Sequence, residues 1–241
     1  MFENVKVIAF DADDTLWENE PLFREGERKW AEELHEFGTL ESLSAELYAT
    51  EAANMAELGY GAKPYLISLL ETSVRLAGDR LTGSMVGRIL ETGRDIIRNP
   101  AAPLPGVREA LEEIRATGRY RMVLLTKGDL LDQEHKIGRS GLGGLFDRIV
   151  ITSNKSLETY SQLCREESIL PEALLMVGNS FKSDIAPVLE LGGWGVHIPF
   201  RILWEHEKTE EYEHPKLLRL ERMAELPDRL PGRFIRPTVP E

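Results

Sequence analysis

The segment Asp11-Ala12-Asp13-Asp14-Thr15-Leu16-Trp17 places three carboxylates within four positions, with no basic residue among them. Acids this close repel one another unless a cation lies between them, and their hard oxygens suit Mg²⁺. A polar turn would use the same residues. Position favours the cation site: the acids follow the apolar run 5–10, which reads as a buried strand, and α/β proteins bind ligands at strand carboxyl ends. The same logic applies to three further runs. Residues 122–126 end at Thr126, followed by Lys127; Lys155 comes just after run 149–152; run 173–177 opens into Gly178-Asn179-Ser180-Phe181-Lys182-Ser183-Asp184. Thr126 can donate a hydrogen bond to a phosphoryl oxygen, Lys155 can supply positive charge, and Asp184 offers a second carboxylate to Mg²⁺.

The elements that must position these groups follow from the apolar pattern. Runs 5–10, 122–126, 149–152, 173–177 and 195–198 are continuously apolar, as strands buried on both faces are. Helical patterns over 129–140, 156–168 and 182–191 alternate with the last four, and another at 106–117 precedes them. The rhythm predicts an α/β fold with a doubly wound, Rossmann-like parallel sheet. Residues 18–100 break it with four helical segments and no strand, which predicts an all-helical insertion. The division is therefore a core of residues 1–17 and 101–241 and a helical cap of 18–100. Gly38 and Gly59 read as helix stops, Pro64 as a first-turn residue and Thr82 as a cap. The Pro-rich tail 227–241 is expected on the surface, and the charged run 205–213 as a solvated face.

Asp-x-Asp-x-Thr, then Thr, Lys and an acidic motif in this order, resembles the haloacid dehalogenase superfamily, with Asp11, Asp13, Thr15, Thr126, Lys155 and Asp184 at the matching positions. The insertion resembles that family's helical cap. The resemblance implies a magnesium-dependent phosphatase in which Asp11 attacks phosphorus to form an aspartyl phosphate while Asp13 serves as acid and base. It implies Mg²⁺ on the Asp11 and Asp184 side chains and on the Asp13 backbone carbonyl. Asn179 stands where the family commonly has an acid, so it either orients neighbouring groups or is a turn residue. Thr15 is expected to fix the loop, Asp14 to face away, and Lys127 to contact substrate or solvent. A phosphomutase or other phosphotransferase would use the same residues, and a degenerate member would bind a phospholigand without turnover. Dehalogenation would not need Asp13. Receiver domains share the acids, Thr and Lys but are much smaller and lack the cap.

Composition narrows the partners. With 41 Asp and Glu against 29 Lys and Arg, the net charge is −12, which repels nucleic acid and anionic membranes. The expected partner is a small phosphorylated metabolite. One cysteine, Cys164, permits no intrachain disulfide; with no basic leader and no long apolar run, a cytoplasmic protein is expected. Trp17, Phe23, Trp30 and Tyr60 read as cap or interface packing, with substrate contact as the alternative.

Overall fold

The structure, a computed structural model, describes residues 2–231. Its sheet is parallel throughout, in the order β3-β2-β1-β4-β5-β6, with β1 Val7–Phe10, β2 Arg121–Lys127, β3 Arg148–Thr152, β4 Leu174–Gly178, β5 Trp194–His197 and β6 Leu217–Arg219. Alternation along each central strand feeds two cores. Ile8, Phe10, Met122, Leu124, Leu175 and Val177 point into one, against α5 (Val107–Ala116) and α6 (Leu130–Ser140). Val7, Ala9, Val123, Leu125 and Met176 point into the other, against α7 (Leu157–Glu166) and α8 (Ala186–Leu191). Burial on both faces is why these runs carry no polar alternation. Cys164 belongs to the second core and is buried.

β1 sits between β2 and β4, where the strand order reverses, and its register aligns Phe10 with both Leu124 and Val177. The three strands therefore release their chains side by side, at the crevice where doubly wound sheets bind ligands.

Two sequence expectations need correction. β6 is a sixth strand, three residues long, too short for periodicity to reveal. The tail does not lie wholly on the surface: α9 (Leu226–Arg229) leads into it, and Leu230 packs into the first core beside Leu226 and Met223, while Asp228 and Arg229 stay exposed. Residues 232–241 of that expectation lie outside the described residues.

Between β1 and β2 run α1 (Glu20–Glu33), α2 (Leu40–Leu58), α3 (Ala62–Ala77) and α4 (Gly83–Ile97), whose Trp30, Leu34, Leu43, Leu47, Leu69 and Ile89 form a third core. Thr39 and Thr82 cap α2 and α4 by accepting from the backbone N–H groups of Ser42 and Met85, satisfying otherwise orphaned donors. Gly59 stops α2 at φ 72°, and Pro64 falls in the first turn of α3. Trp30, fully buried, donates to Ser73 Oγ (2.8 Å) and is cap packing. The two connectors to the core lie together. Leu104 N donates to Leu16 O (2.8 Å), Asn99 Nδ2 to Glu18 O (3.0 Å), and Trp17 bridges Pro103 antiparallel.

Candidate active site

Asp11 leaves β1 with its N–H donating to Val177 O (2.9 Å), which ties it to the end of β4. Its Oδ2 accepts from Thr15 Oγ1 at 2.9 Å and its Oδ1 from Lys155 Nζ. Lys155, in the loop after β3, reaches across to donate to Asp184 Oδ1 at 2.7 Å as well. Asp184 lies in a π-helical turn, Phe181–Ile185, which begins just beyond β4. Such turns recur at functional sites because the extra residue re-aims a side chain. Asp184 Oδ2 accepts from Ser180 N (3.0 Å) and folds back over the strand so closely that a Cβ on Gly178 would lie 2.3 Å from it. Only glycine leaves that space.

These groups are buried: Asp11 is 6% exposed, Lys155 5% and Asp184 1%. Burial pushes the Asp11 carboxyl up to about 7 against the pull of Lys155, with Asp184 adding repulsion. Burial also works against the Lys155 ammonium, but the two flanking carboxylates outweigh it and hold its pKa above the usual value. One ammonium for two buried carboxylates leaves the centre short of positive charge.

Asp13 lies to one side. Its carboxylate accepts from Trp17 Nε1 (2.8 Å), Gln133 Nε2 (2.9 Å) and Lys136 Nζ (2.7 and 2.8 Å). Gln133 also donates to Thr126 Oγ1 (3.1 Å), so Asp13 and Thr126 are joined through α6. Trp17 is thus fully buried and serves Asp13 as well as the interface. Gln133 and Lys136 were not singled out in the sequence. Their signal was faint: a glutamine and a lysine three apart on the helix face that also buries Ile137 and Ser140. Asp14, expected to face away, is buried and lines the same cavity. Its carboxylate accepts the Asn19 and Glu20 N–H groups where α1 begins, and burial raises its pKa to about 8.

Lys127 at the end of β2 pairs with Glu207, donates to Ser183 Oγ (3.1 Å) and lies 4.6 Å from the centre of the Tyr60 ring. Glu207 also accepts from Ser180 Oγ and from Ser183 Oγ (2.6 Å). It is 8% exposed, so the run 205–213 is not simply a solvated face. Within the run only Glu207 turns inward; Glu205 and residues 208–213 are exposed, as a charged run is expected to be. Asn179 accepts a long bond from Thr15 Oγ1 (3.3 Å), while its backbone O accepts from His197 Nε2 (3.0 Å). Arg219 can only donate and faces His197 Nδ1 at 2.8 Å, which assigns the proton to Nε2. Burial accordingly lowers the His197 pKa, against the opposing bond to Asn179.

Asp11, Asp13, Thr126, Lys127, Lys155, Asn179 and Asp184 all line one cavity of about 140 Å³ between core and cap; Thr15, buried behind Asp11, does not line it. Phe23 and Tyr60 line it as well, while Trp17 and Trp30 do not. Among the described residues no group of three or more His, Cys, Asp and Glu side chains gathers as a metal cage. The donors available are the carboxylates of Asp11 and Asp184. That set fits Mg²⁺, which binds through one or two carboxylates and keeps several waters, and the charge shortfall agrees with it; Gly178 contributes by letting the Asp184 carboxylate close against the strand end.

A doubly wound sheet with acids and a lysine converging at its strand ends under four helices defines a capped, Rossmann-like α/β protein with an acidic site. The family model described as haloacid dehalogenase-like hydrolase matches residues 5–192, and the chain belongs to that family. A haloacid dehalogenase-like family hydrolase from Xanthomonas campestris is 35% identical with a TM-score of 0.84, covering 94% of this chain and 90% of that one. The glyceraldehyde 3-phosphate phosphatase of Methanopyrus kandleri is 26% identical over 187 residues, 75% of this chain and 78% of its own. A magnesium-bound HAD-hydrolase from Bacillus subtilis shares the fold at 13% identity and a TM-score of 0.64, over 95% of this chain and 99% of its own. No helix among the described residues is long and apolar enough to cross a membrane.

Proposed function

We propose that the protein is a magnesium-dependent phosphatase that hydrolyses a small phosphate monoester through an aspartyl phosphate on Asp11. The observation that carries this reading is Lys155 holding Asp11 and Asp184 together, with Thr126 on the same cavity floor. The name of the Methanopyrus kandleri relative and the magnesium in the Bacillus subtilis structure support it. The division of labour follows the two connectors, with 1–17 and 101–241 as catalytic core and 18–100 as cap.

Asp11 attacks phosphorus while Thr126 and Lys155 bind the phosphoryl oxygens, which lowers the repulsion between two anions. Mg²⁺, held by Asp11, Asp184 and the Asp13 carbonyl, would add the charge neutralisation that one lysine leaves incomplete. Asp13 in its carboxylic acid form protonates the leaving oxygen, and the carboxylate so formed later takes a proton from the attacking water, which restores the acid. In the resting arrangement its carboxylate is held by Lys136, so the first turnover requires it to take up a proton and exchange that partner for the leaving group. Gln133 and Lys136 are positioning residues for it. Asn179 sits at the edge of the site through Thr15.

The test compares phosphate release by wild type, Asp11→Asn and Asp13→Asn, with Mg²⁺ and with chelator, alongside intact mass after acid quench. Asp11→Asn is expected to fold and release no phosphate. Asp13→Asn, which can still accept from Lys136 and Trp17, should lose about 10²- to 10⁴-fold on alkyl phosphates. With an aryl phosphate, whose leaving group needs little protonation, it should accumulate one phosphoryl group. Turnover by folded Asp11→Asn at a tenth of the wild-type rate removes Asp11 from this role.

A further inference from the structure

The cavity is chemically one-sided. Its cap wall includes Glu20 from α1, Glu51 and Asn54 from α2, and Tyr65 and Ser68 from α3. Arg24 pairs with Glu20 (3.1 Å) and Glu27 (3.3 Å), and Glu51 has no hydrogen bond or close ion pair among the described residues. Three glutamates thus share one guanidinium. Burial pushes Glu20 and Glu51 up to about 7, partly offset by Arg24 in both and reinforced at Glu51 by repulsion from Glu27.

The core wall adds acceptors of its own. Asp132 and Gln133, 6% and 1% exposed, line the cavity, and each carries one oxygen, Oδ1 and Oε1, that is shut off from solvent without a hydrogen-bond partner among the described residues, so a ligand donor reaches it only by a small side-chain turn. A buried acceptor left unpaired is costly, and a donor supplied by a ligand removes that cost. The lining cations are already engaged: Lys155 with Asp11 and Asp184, Lys136 with Asp13 and Asp132, Lys127 with Glu207. A phosphoryl group competes for Lys155 at the strand ends. A second anion on the same ligand would meet the cap glutamates on one side and, on the other, lysines that each already hold a carboxylate.

We propose that this cavity selects monophosphates whose leaving group donates hydrogen bonds and carries no second negative charge, such as those of polyols, aldoses or amino alcohols, over phosphorylated acids. The proposal rests on the phosphatase reading and names its substrate class. Asp132, Gln133 and the two cap glutamates bind the leaving group's hydroxyl or ammonium hydrogens, and in their ionised form, dominant above about pH 8, the same glutamates reject a carboxylate by like-charge repulsion.

The experiment uses matched pairs with the wild-type protein and Mg²⁺ at about pH 8.5, where both glutamates are ionised: glycerol 3-phosphate against 3-phosphoglycerate, and phosphoethanolamine against phosphoglycolate, with 4-nitrophenyl phosphate as reference. kcat/KM for the uncharged or cationic member should exceed that for its acid by about 10-fold or more in at least one pair. Glu51→Gln, which removes charge and keeps an acceptor, should shrink that ratio by about 3-fold or more. If the aryl phosphate is hydrolysed and neither pair shows the preference, or if Glu51→Gln leaves the ratio unchanged, the selection proposed here is wrong while the phosphatase reading stands. If no compound releases phosphate, the phosphatase reading itself falls.

Discussion

The core wall of the cavity gathers its polar groups around the ends of four parallel strands, with α6 and Glu207 closing in from the side, whereas the cap wall takes them from the flanks of three helices. On the core side every lysine is matched to a carboxylate and the sheet register fixes who stands beside whom. On the cap side three glutamates share one arginine, and the helices that carry them pack on a core of their own. The contrast teaches where each property resides. Chemistry needs reacting atoms held to a fraction of an ångström, which a sheet supplies; selection needs only a field and a shape, which helix flanks can vary without disturbing the acids.

If cap and core are separate cooperative units, the largest effect comes from a cavity in the cap. Leu69→Ala, at a fully buried position, should cost about 2–5 kcal/mol. Hydrogen exchange should register the loss over residues 20–97 while the β1, β2 and β4 amides keep their protection. Equal loss in the sheet would mean that the two walls unfold as one. A smaller effect probes the core wall alone. Asn179→Asp adds a carboxylate beside Thr15 and should lower the Mg²⁺ concentration for half-maximal activity by roughly 3- to 30-fold. Glu51→Gln, on the cap, should leave that concentration unchanged, and a comparable shift there would dissolve the distinction.

The smallest effect is a difference of sign with pH. Glu20 and Glu51 have folded-state pKa values raised from 4.5 to about 7, so their contribution to cap stability is full below about pH 4.5 and is lost as pH rises through 7. His197 has a lowered value, so its contribution at the β5–β6 edge is present above pH 6.5 and is lost as pH falls through that lowered value. Between pH 7.5 and 5.5, exchange corrected for intrinsic rates should show cap amides near α1 and α2 gaining protection and β6 amides losing it, each by roughly 3- to 10-fold. Movement in the same direction would assign the titration to other groups.

The core wall was largely legible because its chemistry sits at strand ends, and strands buried on both faces announce themselves as apolar runs. Asp11, Thr126, Lys155 and Asp184 each follow such a run, so their convergence needed only the parallel order. Lys136 and Gln133 were not legible, since nothing in a sequence says that one turn of α6 faces Asp13 rather than solvent. Glu207 was hidden for a related reason: it closes onto Lys127 from 80 positions away, inside a run whose charge signalled exposure. The cap glutamates were equally silent, because helical spacing identifies a face and leaves open what that face covers. Leu226 and Leu230 were obscured by neighbouring prolines, although their spacing of four is that of one helix face.

Trp17 sits in one of the paired connectors between cap and core, and its indole N–H holds Asp13. The joint is therefore wired to the carboxylate proposed to transfer protons: a twist of the cap about the two connectors would reach Asp13 through Trp17 without passing through the cavity. The same wiring sets rules for transplantation. A foreign set of helices spliced in beyond Glu18 and before Asn99 keeps the Trp17–Pro103 and Leu16–Leu104 pairs, and with them the tether on Asp13. A splice made one turn earlier, at Asp14, would carry the tether away with the discarded cap and leave Lys136 and Gln133 as the remaining hold on that carboxylate.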